Sequence, residues 1–230
     1  MSEPSAERPD PDGRQARFER LYATEPERFT GPPSAFADWV GPVLADEGVR
    51  SGRWIDLGCG LGRDARRFAG QGFDVLAVDF ATTAIERARA DPANPPRLRF
   101  EAQDVVAALR AQPAGSVSVV YAHAVYMMLP DAAFAALGRE IPRVLGAGGL
   151  HLFAVRASTD PAAAARRPGP DRGAAPTRAE AGSDPAPDPA PYRFFGAEAV
   201  DRLTAETGLE RRRAELQRSR HFWYVADRRP

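Results

Sequence analysis

The chain has 230 residues, 43% of them hydrophobic, which suffices for one large α/β domain or two small ones and for a sizeable core. Its 31 Lys and Arg balance 31 Asp and Glu, and a zero net charge argues against a nucleic-acid partner, which demands a basic face against the phosphates. The one cysteine, Cys59, excludes an intramolecular disulfide and argues against a cysteine-built zinc site. With no apolar signal at the start and no run of membrane-span length, the expected setting is the cytosol, with no membrane partner.

Residues 1–13 are polar and Pro-rich and read as a disordered tail. Residues 14–50 read as a helical cap. A first helix covers Arg14 to Ala23, with Phe18, Leu21 and Tyr22 on one side. A second begins near Ser34, its N-cap, and carries Phe36, Trp39, Val40, Val43 and Leu44 at helical spacing. From Arg53 strands and helices alternate. Strands are expected at Trp54–Leu57, Phe73–Asp79, Arg97–Gln103, Ser116–Ala122 and Gly149–Val155. Helices are expected at Arg63–Ala69, Thr82–Ala90, Val105–Ala111 and Asp131–Leu145. That alternation implies βαβ units and a parallel sheet.

Residues 157–190 are rich in Pro and Ala and contain no Leu, Ile, Val or aromatic residue. Such a segment has nothing to bury, so it reads as a long loop, disordered or a lid. A helix follows over Ala197–Gly208, closed by Gly208 as a C-cap. Two last strands, Leu209–Leu216 and His221–Ala226, are joined by a connection short enough to make an antiparallel hairpin. The whole of 14–230 is expected to form a single domain.

The chemistry concentrates in Asp56-Leu57-Gly58-Cys59-Gly60-Leu61-Gly62, between a strand and a helix. Open α/β sheets bind ligands at such carboxyl ends, and side-chain-free positions let backbone approach a nucleoside closely. The spacing is Gly-x-Gly-x-Gly, not the Gly-x-Gly-x-x-Gly of dinucleotide folds. Asp56 carries the wrong sign for a pyrophosphate and the right one for a cationic ligand. Asp79 ends the next strand, where a carboxylate can accept both hydroxyls of a ribose. Asp104 ends the third, placed to accept from an adenine amino group. Three successive strands ending in Asp make one acidic rim.

The segments Trp54–Gly62, Val75–Asp79, Gln103–Asp104 and Ile141–Gly149 resemble class I S-adenosylmethionine (SAM)-dependent methyltransferases. The resemblance spans about Phe36 to Val155 and the end from Phe194. The stretch Gly60-Leu61-Gly62-Arg63-Asp64, followed by Gly72-Phe73-Asp74-Val75, looks like the thiopurine and tellurite-resistance branch. The resemblance implies a Rossmann-like α/β fold: a seven-stranded, mostly parallel sheet with an antiparallel last strand and helices on both faces. It implies SAM as cofactor, S-adenosylhomocysteine (SAH) as product, no metal, and a small-molecule acceptor. Asp56, Gly58, Gly60 and Gly62 would cradle the methionine part, with Cys59 contributing backbone. Asp79 would hold the ribose, Phe80 would lie beside the adenine, and Asp104 and Val105 would contact it. Gln103 and Ala122 complete the expected cofactor set.

At the end of the fourth strand, Tyr121-Ala122-His123-Ala124-Val125-Tyr126 is not the Asn-Pro-Pro-Tyr type of enzymes that methylate DNA bases. His123 reads either as a general base or as packing against the methionine part. Tyr126 either orients the acceptor or fills the pocket wall. Phe18 and Tyr22 either close over the acceptor or simply pack, and Arg156 either binds an acceptor carboxylate or forms a surface ion pair. The Arg211-Arg212-Arg213 run reads as a solvated strand edge. Two rival functions stay open at this point: a non-catalytic SAM-binding regulatory protein and an NAD-dependent oxidoreductase. The oligomeric state, monomer or homodimer, also stays open.

Overall fold

A computed structural model describes residues 13–165 and 193–230. The expected tail, 1–12 of it, and most of the expected lid, residues 166–190, lie outside the described residues. Helix α1 (Arg14–Thr24) leads through a 3-10 turn (Pro26–Phe29) to α2 (Ala35–Asp46). Ser34 caps α2 as expected, its hydroxyl accepting from Ala37 N–H at 3.1 Å. The alternating part then runs β1 (Arg53–Leu57), α3 (Arg63–Gly70), β2 (Asp74–Asp79), α4 (Thr82–Arg89), β3 (Leu98–Ala102) and α5 (Val105–Arg110). It continues through β4 (Val117–His123), α6 (Asp131–Val144) and β5 (Leu145–Arg156). A short α7 (Pro161–Ala165), α8 (Ala197–Thr207), β6 (Glu210–Gln217) and β7 (Phe222–Arg228) complete it.

The seven strands form one sheet in the order β3-β2-β1-β4-β5-β7-β6. β7 pairs antiparallel with both β5 and β6, so it alone opposes the other six. The chain thus inserts its last strand between two parallel ones. Residue alternation divides the core. Ile55, Leu57, Val120, Ala122 and Phe153 face α5, α6 and α8. Trp54, Val119, Tyr121 and Leu152 face α2, α3 and α4. The Trp54 and Phe68 rings stack at 4.0 Å. Both faces are covered, which is why the central strands read as near-continuous apolar runs.

Three expectations need correction. β5 begins at Leu145, not Gly149, because Leu145 already pairs with Val117 before a bulge shifts the register. The segment expected to be loop from residue 157 opens with ordered structure. Ala157 is buried and bridges to Phe195, and Asp160 is buried against Arg156. The Arg211–Arg213 run lies on the edge strand with Arg212 and Arg213 exposed, as expected, but Arg211 is anchored. Arg211 Nε donates to the fully buried Asp227 at 2.6 Å, and Arg212 Nε donates to Glu47 at 2.8 Å.

Candidate functional site

The loop after β1 is stitched to the end of β2. Gly58 N–H and Cys59 N–H donate to Val78 O at 2.7 and 2.9 Å. Gly60 N–H donates to Asp79 Oδ2 and Ala81 N–H to Asp79 Oδ1, both at 2.9 Å. The glycines serve the protein's own packing as well as ligand approach. Gly58 sits at φ +70° with a Val125 methyl occupying the space a side chain would need, and at Gly60 that space holds the Tyr22 hydroxyl. A Cβ at either place would carry both backbone strain and a clash.

A cavity of about 710 Å³ opens at the carboxyl ends of β1, β2, β3 and β4. Asp56, Gly58, Cys59, Asp79, Phe80, Gln103, Asp104 and Val105 line one part of it. Phe18 and Tyr22 of α1, with Phe29, form its cover. His123, Val125, Met127, Met128 and Leu129 line the rest. Gly60, Gly62 and Ala122 shape the loop and strand without lining the cavity. Phe18 packs edge-on against Phe80 at 5.7 Å, so the cover and the end of β2 meet directly. Ala124, just after His123, holds a left-handed φ of +61°, a strained turn at the cavity wall.

Three residues expected at the site have other duties. Tyr126 does not face the cavity. It is buried, and its hydroxyl meets His151 Nε2 at 2.7 Å beneath the site. Arg156 also points elsewhere, pairing with Asp160 at 3.1 Å and lying over the Phe222 ring. Asp104 does line the cavity, but its Oδ1 accepts from Val106 and Ala107 N–H at 3.1 and 3.0 Å, capping α5.

The acidic rim is buried. Asp56 and Asp79 are each 3% exposed. Burial pushes Asp79 up to about 6, although the backbone N–H groups of Ala81 and Gly60 pull the other way. Burial, with Asp64 and Asp79 nearby, raises Asp56 well above the usual carboxylate range. Carboxylates that repel one another in a dry crevice are stabilised by a cationic ligand and destabilised further by an anionic one. This set of carboxylate acceptors therefore fits the amino group and sulfonium of SAM and disfavours a pyrophosphate.

Asp64 is the site residue that sequence reasoning passed over. It lies in the first turn of α3, lines the same cavity and is 5% exposed. Its partners Ser34 and Tyr121 are distant in sequence, so no local spacing announces them. Its Oδ2 lies 3.7 Å from His123 Nδ1. His123 itself is pushed down to about 4, chiefly by burial. Among the described residues no cluster of His, Cys, Asp or Glu could hold a metal ion, and no helix is long and apolar enough to cross a membrane.

Residues 55–149 match the family model described as a methyltransferase domain. No curated protein matches the chain. Among solved structures, 1,6-didemethyltoxoflavin-N1-methyltransferase of Burkholderia thailandensis, with SAH bound, is similar at 20% identity and TM-score 0.68. That likeness covers 94% of this chain and 86% of that one. Magnesium protoporphyrin IX methyltransferase of Synechocystis, also with SAH, is similar at 14% identity and TM-score 0.65, over 94% and 100% of the two chains. A TehB-like SAM-dependent methyltransferase of Corynebacterium glutamicum is similar at 18% identity and TM-score 0.58, over 95% and 97%. The matched domain carries the loop and the first four strand ends that build the cavity, and the chain as a whole shares the fold of these SAM-dependent methyltransferases.

Proposed function

We propose that this chain methylates a small-molecule acceptor inside the cavity covered by α1, in the cytosol, where its lone Cys59 needs no disulfide partner. The observation that carries the reading is the joining, in one cavity, of a buried carboxylate rim to an apolar wall that holds His123. Two of the similar structures are named for methyltransferases of small molecules, 1,6-didemethyltoxoflavin and magnesium protoporphyrin IX, which supports the acceptor class.

In this reading Asp56 receives the amino group of the methionine part against the Gly58–Gly62 loop. Asp79 receives the ribose hydroxyls. Each of its oxygens holds one backbone hydrogen bond, and a carboxylate oxygen has capacity for another. Phe80, Gln103, Asp104 and Val105 surround the adenine. SAM, when bound, supplies an electrophilic methyl carbon on a sulfonium whose sulfur leaves as a neutral thioether. The protein then contributes mainly alignment, which is a large effect when reacting atoms are held in line. Phe18, Tyr22, Phe29, Met127 and Met128 exclude water. His123, neutral at physiological pH because burial disfavours its charged form, accepts the acceptor's proton.

Titration calorimetry with SAH and NAD tests the cofactor part. Micromolar SAH binding and no NAD binding are expected. NAD binding without any response to SAH overturns the reading in favour of an oxidoreductase. SAH formation from SAM across phenols, amines, thiols and carboxylic acids then identifies the acceptor.

A further inference from the structure

The Asp64 carboxylate is held by three donors from two other elements. Ser34 N–H donates to Oδ1 at 2.7 Å, and the Ser34 and Tyr121 hydroxyls donate to Oδ2, each at 2.7 Å. The N-cap of α2 and the middle of β4 thereby fix one carboxylate in one place. His123, two residues beyond Tyr121 on the same face of β4, turns Nδ1 toward that oxygen at 3.7 Å. Its ring is bracketed by Phe36 of α2 and Phe222 of β7, with centroids 5.8 and 6.1 Å away. Catalytic contacts in ligand-free enzymes are often this long and tighten when the site fills.

We infer, resting on the methyl-transfer reading above, that Asp64 is the positioning residue of His123, and that the acceptor gives up a proton from O–H, N–H or S–H as it is methylated. Asp64 accepts from Nδ1–H and so leaves Nε2 as the basic nitrogen for the cavity. A lone pair on the acceptor heteroatom forms the bond to the methyl carbon, and the carbon–sulfur bond breaks with its pair passing to sulfur. The acceptor's proton passes to Nε2, and the resulting imidazolium is balanced by the carboxylate. The other charged groups facing the ring, Arg63 of α3 and Arg220 of the β6–β7 turn, oppose that charge, so the balancing falls to Asp64. An acceptor with no proton to lose, such as a tertiary amine or a thioether, has no use for this arrangement. A purely structural Asp64 would tie α2 to α3 with no consequence for which ring nitrogen carries hydrogen.

The ring tautomer separates the two roles. Two-bond proton–nitrogen spectra of the labelled full chain near neutral pH, with His123 assigned by loss of its signals in His123→Gln, are expected to show the Nδ1–H form. Asp64→Asn is expected to move His123 toward the Nε2–H form. An Nε2–H tautomer in the unaltered protein, or an unchanged tautomer in Asp64→Asn, overturns the assignment. Should that variant not fold, the unaltered protein's spectrum alone decides. With a protic acceptor, His123→Gln is expected to slow SAH formation by about 10²–10⁴-fold. Turnover confined to tertiary amines or thioethers overturns the acceptor class. Absence of SAH binding to the unaltered protein sinks the methyl-transfer reading instead, whatever the tautomer.

Discussion

At the scale of single residues, the site's behaviour follows from burying carboxylates without their cation. Asp79 rises from an ordinary 3.8 to about 6, so the ligand-free fold binds an extra proton between those values. Its contribution to stability is therefore fully present below about pH 4 and lost as pH rises through about 6. Ligand binding has the opposite sign, because ribose hydroxyls need the ionised form. SAH affinity is expected to fall about tenfold from pH 7 to pH 5, and to do so much less in Asp79→Asn. That variant should weaken SAH binding at neutral pH by roughly 10–100-fold, through loss of hydrogen bonds to a charged acceptor. Calorimetry across this pH range checks both. Tyr126 teaches the reverse lesson: a tyrosine at the right sequence position turns its hydroxyl inward to His151. Tyr126→Phe leaves a buried imidazole nitrogen unpartnered and should cost about 1–3 kcal/mol in urea unfolding, while SAH affinity stays within about threefold.

At the scale of elements, α1 is fastened across the cavity by its polar residues. Gln15 donates to Phe80 O at 3.1 Å and Arg14 to Met128 O at 2.6 Å, so the helix spans both rims. Glu19 accepts from Thr82 and Thr83 N–H at 2.7 and 2.9 Å, supplying from another helix the cap that Ala81 at the start of α4 cannot provide. A carboxylate at a helix N-terminus also meets the positive end of the helix dipole. Glu19→Ala is expected to lower stability by about 1 kcal/mol and to speed SAH dissociation in stopped flow. An unchanged dissociation rate would show that α1 does not gate the cofactor. The hydrophobic spacing revealed this helix. Its docking depends on backbone groups of Phe80, of the start of α4 and of Met128 that no pattern within residues 14–24 encodes.

For the whole molecule, the insertion of β7 between β5 and β6 decides how the C-terminal third packs. Asp227 on β7 is fully buried, accepting from Thr204 of α8 at 2.8 Å and from Arg211 of β6 at 2.6 Å. One carboxylate thus joins three elements. Asp227→Ala removes the acceptor of Arg211 Nε and of the Thr204 hydroxyl, while Arg211 keeps Asp201 and Val200 O as partners, and should cost about 2 kcal/mol of unfolding free energy by denaturant titration. By itself, the sequence determined the alternation of strands and helices, the antiparallel hairpin, the glycine loop and the acidic rim. Each of these is written in local periodicity, in residues a few positions apart or, for the rim, in an Asp recurring at the ends of successive strands. Only the tertiary structure decided that Asp64 meets His123, that Tyr126 and Arg156 turn away from the cavity, and that Arg211 is anchored. Those outcomes depend on which way a side chain leaves its strand or turn and, apart from Arg156 with Asp160 four residues on, on partners 16 to 59 residues distant. A chain's pattern dictates which face is apolar, but the pairing of its few buried polar groups is fixed only when the elements close on one another.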